Sequence, residues 1–322
     1  CELCGGQYVA QRRGGRFHCG RRGHTVAQPL LPVGDANHEH MLRMLIATGS
    51  PGPTEDPGPR IERRPGSGQR RGRYRVGVID ATTHNADRCY FRQLLAGRDF
   101  AVGDPVASQM VNFSYLVGDR QTGECVVVDP AYGVADLVDA AAADGMRLTG
   151  ALVTHYHPDH CGGSMMGMRI EGAAELLSLV SIPVHVQADE AEWILKVTDL
   201  TPEDLETHAP GDVVDVGAVP IELIHTPGHT PGSQCFLVDG RLVAGDTLFL
   251  DGCGRTDLPG GDPEALYYSL TQTLAAVPDD VVLYPGHQYS VESCARLGDT
   301  RERNVVFKPT TPQQWLRMFG PG

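Results

Sequence analysis

Residues 154–163 read THYHPDHCGG, with three histidines and one aspartate inside six consecutive positions, a proline among them and two glycines behind. The apolar run TGALVTH (149–155) has strand character and leads straight into this cluster, so the cluster is expected in a loop at a strand end. His155, His157, Asp159 and His160 are too closely spaced for one helix face, whereas alternation along an extended chain aims His155 and His157 the same way. Pro158 is expected to deny His157 a helical conformation and to fix the turn. Gly162 and Gly163 are expected to let the backbone pass close beneath a site. A lone histidine is an ordinary core or surface residue; four ligand-type side chains in one loop point instead to a cation.

Three further stretches repeat the arrangement of a strand followed by a glycine-flanked ligand. TPGHTPG (226–232) sets His229 between two Pro-Gly turns, AGDTLF (244–249) sets Asp246 at a strand end, and YPGHQYS (284–290) sets His287 just after another. Taken singly, each would read as a turn histidine or a capping aspartate. Together they make seven donors at strand ends, where the loops of a sheet converge. Imidazole and carboxylate suit zinc or iron. Seven donors exceed one tetrahedral shell and suffice for two ions if one carboxylate bridges them.

The surrounding pattern is that of a layered α/β body. Strand runs are predicted at 111–119, 124–130, 182–186, 219–225, 234–240, 241–246 and 281–286, with helices at 133–144 and around 188–197 and 262–276. The first two strands are separated by DRQTG, a hairpin signal, and the helix at 133–144 aligns Val134, Leu137, Val138 and Ala141 on one face. No run of about 18 apolar residues occurs, so no membrane span is expected. Residues 1–85 contain 13 arginines, no lysine and 7 acids, a net of +6, so within a total of −13 the remainder carries −19. A body that acidic is a poor nucleic-acid binder. Its basic front reads as a solvated linker or, failing that, a polyanion contact.

The front itself, 1–47, opens with Cys1 and Cys4 in a Cys-x-x-Cys knuckle that Cys19 and His24 could complete as a structural zinc ribbon. The alternative is a degenerate ribbon with ordinary thiols. Residues 48–85, dense in Pro, Gly and Arg, read as a flexible linker, and 86–322 as the catalytic domain. The later cysteines are scattered singly, which points to a reducing, cytoplasmic compartment. The chain opens on Cys1 with no methionine and no apolar signal stretch, as a fragment would.

His155, His157, Asp159 and His160 (a His-x-His-x-Asp-His string), then His229, Asp246 and His287 in that order, resemble the metallo-β-lactamase superfamily over about residues 90–290. The resemblance implies an αββα four-layer sandwich with its metal site at one edge. It implies that His155, His157 and His229 hold one metal, that Asp159, His160 and His287 hold the second, and that Asp246 bridges them. True β-lactamases of this superfamily usually lack that aspartate, and its nucleases normally carry further domains, so neither activity is expected.

The stretch GDTLFLDGCGRTDLPGGDPEALYYSL (245–270) is similar to the glyoxalase II and persulfide dioxygenase branches, where a Gly-Cys-Gly-Arg element borders the site of a thiol-bearing substrate. That places Arg255 opposite a substrate carboxylate such as glutathione's, or in a pair with a nearby acid. Cys253 is expected to pack. The first functional expectation is a two-zinc thioester hydrolase resembling hydroxyacylglutathione hydrolase, with a hydroxide bridging the metals and Asp159 orienting it. The second is persulfide dioxygenase with one Fe2+ on His155, His229 and Asp246. A non-catalytic binding protein on the same fold is the third. Only 35 residues follow His287, fewer than the helical glutathione-binding domain of glyoxalase II would need. Segment 161–187 reads as an insertion near the mouth of the site, its Met165, Met166 and Met168 lining that mouth or packing in the core. The expected ligand is a small thioester or thiol conjugate, with the homo-oligomeric state left open.

Overall fold

The computed structural model describes residues 88–165 and 167–320. The zinc-ribbon expectation on Cys1, Cys4, Cys19 and His24, the linker 48–85 and Met166 fall outside the described residues.

Strands β1 (Cys89–Leu95), β2 (Phe113–Asp119), β3 (Glu124–Val128) and β4 (Arg147–Leu152) build most of the first sheet. A short hairpin follows, β5 (Gly163–Met165) with β6 (Met168–Ile170), and β7 (Val184–Gln187) and β8 (Leu205–His208) complete that sheet in the order β1-β2-β3-β4-β7-β8. The second sheet comprises β9 (Val213–Val216), β10 (Val219–His225), β11 (Gln234–Val238), β12 (Arg241–Gly245), β13 (Val282–Pro285) and β14 (Ala295–Arg296), ordered β14-β13-β12-β11-β10-β9. Both sheets are mixed: β3, β4, β7 and β8 run parallel, as do β12 and β13, and the other pairs are antiparallel. The helices are α1 (Pro105–Met110), α2 (Val134–Ala143), α3 (Pro158–Cys161), α4 (Ala173–Leu179), α5 (Ala191–Val197), α6 (Pro263–Tyr268), α7 (Leu297–Arg303) and α8 (Pro312–Phe319). None of those in the described residues is long and apolar enough to cross a membrane.

Alternation along the strands makes the layers, because successive side chains leave a strand on opposite faces. On β3, Cys125 and Val127 pack outward against Leu137 and Ala141 of α2, with Leu176 of α4 and Ile194 of α5 in the same cluster. Val126 and Val128 pack inward with Ile221, Leu223, Phe236 and Val243 of the second sheet. On β12, Leu242 and Ala244 face the opposite way from Val243, into a third cluster with Leu266, Leu270, Leu297 and Trp315. Three apolar layers between helix, sheet, sheet and helix make the αββα sandwich that the resemblance implied.

Two local readings need correction. Strand β4 stops at Leu152, and residues 158–161 form one helical turn within what reads as a loop. His157 is indeed extended, at φ −62° and ψ 138°, but it serves as N-cap, with Pro158 at the first helical position where a missing N–H costs nothing. The backbone that Gly162 and Gly163 admit is that of Gly172 and Val197, not a ligand.

Candidate metal centre

The seven donors meet. The loop after β4 carries His155 and His157, helix α3 carries Asp159 and His160, the β10–β11 turn carries His229, and Asp246 and His287 follow β12 and β13. Their ligand atoms fall into three overlapping groups, each within 4.8 Å: His155, His157 and His229; His155, His160 and Asp246; Asp159, His160 and His287. His229 Nε2 lies 2.9 Å from His157 Nδ1, and His160 Nε2 lies 3.2 Å from His287 Nε2. Asp246 sits between the sets, with Oδ2 3.7 Å from His229 Nε2 and 3.4 Å from His287 Nε2, and Oδ1 3.4 Å from His160 Nε2.

Three of the imidazoles are aimed by what their other nitrogen meets. His229 Nδ1 donates to the Arg255 carbonyl at 2.6 Å and His287 Nδ1 to the Met110 carbonyl at 2.8 Å. His160 Nδ1 lies 2.8 Å from Asp129 Oδ2, and Asp129 also accepts from the Thr154 N–H and hydroxyl. These bonds leave Nε2 of all three rings facing the cluster as acceptors. Gly254 is needed beside them, since a Cβ there would lie 2.7 Å from His229 Nδ1.

The residues fit a metal. Nε2 of His155 and Oδ1 of Asp246 are buried with no hydrogen-bond partner among the described residues, a costly arrangement unless something else meets them. Burial, with His160, His157 and His229 nearby, drives His155 well below the usual histidine range, and burial with His229 pushes His157 down to about 3. Burial would lower His160 too, but Asp246, Asp159 and Asp129 outweigh it and raise it to about 10. Against burial, His287 and His160 hold Asp246 well below the carboxylate range. This donor set calls for positive charge at its centre, which divalent cations supply without protonated imidazoles. The nitrogen and carboxylate donors suit zinc or iron.

Three residues that shape the site escaped the sequence reading. Asn112, at the head of β2, donates from Nδ2 to Asp159 Oδ2 at 3.1 Å and accepts from the Tyr132 hydroxyl. Asp129 anchors His160 and Thr154. Buried Glu190 ties the two ligand loops together, accepting from Tyr156 N and Thr230 Oγ1 at 2.7 Å each and from Gly232 N at 2.6 Å. Asn112 and Asp129 are single polar side chains in apolar stretches and Glu190 is one of several acids in its segment, which are faint signals when the partner lies 31 to 47 positions away.

Around the centre, Arg255 takes the second of its two expected arrangements, paired through Nε and a terminal nitrogen with Asp257 at 2.6 and 2.5 Å on the surface. Cys253 packs beside the third apolar cluster, and burial pushes its thiol up to about 12. Met165 packs against the first cluster, whereas Met168 is exposed.

A family model described as the metallo-beta-lactamase superfamily matches residues 109–287. The mitochondrial persulfide dioxygenase ETHE1 of Homo sapiens is 32% identical over 196 residues, covering 60% of this chain and 70% of that protein. The hydroxyacylglutathione hydrolase of Alkalilimnicola ehrlichii is 38% identical over 181 residues, covering 56% of this chain and 62% of that protein. Among solved structures, ETHE1 from Myxococcus xanthus aligns with a TM-score of 0.58 at 26% identity, covering 71% of this chain and 89% of that one.

Proposed function

This chain belongs to the metallo-beta-lactamase superfamily, and we propose that it is a metal-dependent hydrolase acting on a small thioester of glutathione or a related thiol. The observation that supports the reading is the convergence of seven donors in three overlapping groups, more than one ion's shell takes, with Asp246 within 3.4–3.7 Å of His160, His229 and His287. Two zinc ions so held would lower the pKa of a shared water towards neutrality and polarise the thioester carbonyl. Asp159, steadied by Asn112, would orient the attacking water as well as complete the second set. Direct attack by water suits the site, because the half-buried Cys253 thiol, pushed up to about 12, is too basic to act as a nucleophile at neutral pH. Arg255 is the proposed partner of a substrate carboxylate. Its present pair with Asp257 is solvent-exposed, so exchanging one carboxylate for another costs little.

A second reading, persulfide dioxygenase with a single iron on His155, His229 and Asp246, is supported by the similarity to the human and Myxococcus proteins of that name. His157→Ala separates the two. The variant is expected to lose thioester hydrolysis to background while two zinc ions per chain fall towards one. Retention of full hydrolysis would refute the two-metal assignment. One iron per wild-type chain, with oxygen consumed on glutathione persulfide and little change in the variant, would establish the second reading.

A further inference from the structure

A second convergence of metal-ligating side chains lies on the inner face of the first sheet, at its β7–β8 edge. His185 on β7 stands opposite Glu206 on β8 in parallel register, and His208 follows two positions later on the same face of β8. His185 Nδ1 is 3.0 Å from His208 Nε2 and 3.6 Å from Glu206 Oε2, and the three ligand atoms all lie within 4.8 Å of one another. We infer that His185, Glu206 and His208 form a further site for a divalent ion of the zinc class, independent of the seven-donor centre.

Four observations support the site. The imidazole nitrogens stand as close as the ligand pairs of the main centre, where the separations are 2.9 and 3.2 Å. Nitrogens bound to a common tetrahedral ion at ~2.0–2.1 Å lie roughly 3.3–3.4 Å apart, a few tenths of an ångström from the His185–His208 separation. The His208 ring has its Nε2 towards His185 and its Nδ1 on the side of the Asp212 carboxylate, 3.8 Å away, so a further negative charge stands behind it. His185 is buried, and Gly150 leaves its ring room: a Cβ at residue 150 would lie 3.0 Å from His185 Nε2. The three donors border a cavity of about 410 Å³, which Asp215 also lines, so an ion there has a further carboxylate nearby and free volume beside it. The donor set of two imidazoles and one carboxylate is one that zinc and iron accept. Since β8 is the outermost strand of its sheet, an ion here clamps that edge to β7.

The test is metal content of the full chain after saturation with Zn²⁺ and dialysis against a weak chelator. Wild type is expected to carry one equivalent more than Glu206→Gln and one more than His208→Gln, with the activity of both variants unchanged. His157→Ala, which disturbs the main centre, should still lose one equivalent when Glu206→Gln is added. Should His208→Gln fail to fold, the surface substitution Glu206→Gln alone decides. Equal metal content in wild type and Glu206→Gln would reduce the histidines to an ordinary hydrogen-bonded pair and overturn the inference. A metal loss accompanied by loss of activity would do the same, since the missing ion would then come from the main centre.

Discussion

At the scale of single residues, the chemistry of the centre depends as much on the groups behind the ligands as on the ligands. Asp129 shows this most directly: one carboxylate takes His160 Nδ1 and both the N–H and the hydroxyl of Thr154, so it fixes a second-set ligand and the residue next to a first-set ligand together. Asp129→Asn keeps the shape but puts an amide donor against groups that already donate. Metal affinity is expected to fall about 10- to 100-fold, as for other residues that orient a metal ligand. Competition against a chromogenic chelator, with circular dichroism as a control for folding, measures it; unchanged affinity would remove Asp129 from the site. The convergence of the seven donors was legible because four of them lie within six positions and the others repeat one local pattern of strand, glycine and donor. Asp129, Asn112 and Glu190 were not, because nothing local distinguishes a buried carboxylate or amide that serves a distant loop from one that caps a turn. The GCGR string was read for its arginine side chain, while the structure adds a second use, in that the Arg255 carbonyl holds His229 and Gly254 leaves room for its ring.

At the scale of elements, the sandwich is fastened where its strands end. Asp119, the last residue of β2, is buried and accepts from Arg88 Nε and a terminal nitrogen at 2.9 and 2.6 Å, from Gln121 N at 2.8 Å and from Ala218 N at 2.9 Å. It therefore joins the β2–β3 turn of one sheet to the β9–β10 turn of the other. The Arg88 guanidinium, against the cost of burial and with the Ala218 and Gln121 amides, holds its carboxyl well below the usual range. A carboxylate whose folded pKa is lowered adds stability that is complete above the unfolded pKa, ~3.9, and is lost as pH falls through the folded value. Asp119→Asn is expected to cost about 1–3 kcal/mol at neutral pH, by stranding buried donors. Its acid unfolding should also be flatter below about pH 4 than that of wild type. Denaturant unfolding across pH checks both, and parallel acid limbs would reject the assignment. Elements with a strong apolar period, such as β2, β3, β10 and α2, were legible in the sequence. Strands β1, β8 and β9 were not, since CYFRQLL, LETH and VVDV carry the polar residues of sheet edges. Helix α3 was missed for another reason: proline was read as a barrier to helix, and at the first helical position it is a start signal.

At the scale of the whole molecule, the donors come from both sheets. His155, His157, Asp159 and His160 leave the first sheet after β4, while His229, Asp246 and His287 leave the second after β10, β12 and β13. Ions held between them would cross-link two layers that otherwise meet through a largely apolar interface and a few polar ties such as Asp119, and the donors are brought together only when both layers are in place. The unfolded chain offers no such arrangement, so metal binding is linked to folding: a ligand that binds only the folded state adds RT ln(1 + [L]/Kd) to its stability. For free metal about 1,000-fold above Kd this amounts to about 4 kcal/mol per site. A domain of this size shifts by roughly 2–4 °C per kcal/mol, so stripping the metal should lower the thermal midpoint by roughly 8–16 °C for each such site. Calorimetry of the chain as purified, after exhaustive chelation, and after readdition of Zn²⁺ or Fe²⁺ measures the effect, and the ion that restores the midpoint bears on which of the two proposed reactions the site performs. The buried atoms of His155 and Asp246 that lack partners lead to the same expectation, because the stripped site must take up water or protons to satisfy them. Identical midpoints with and without metal would mean that the two layers hold the donors in place unaided and that no ion ties them together.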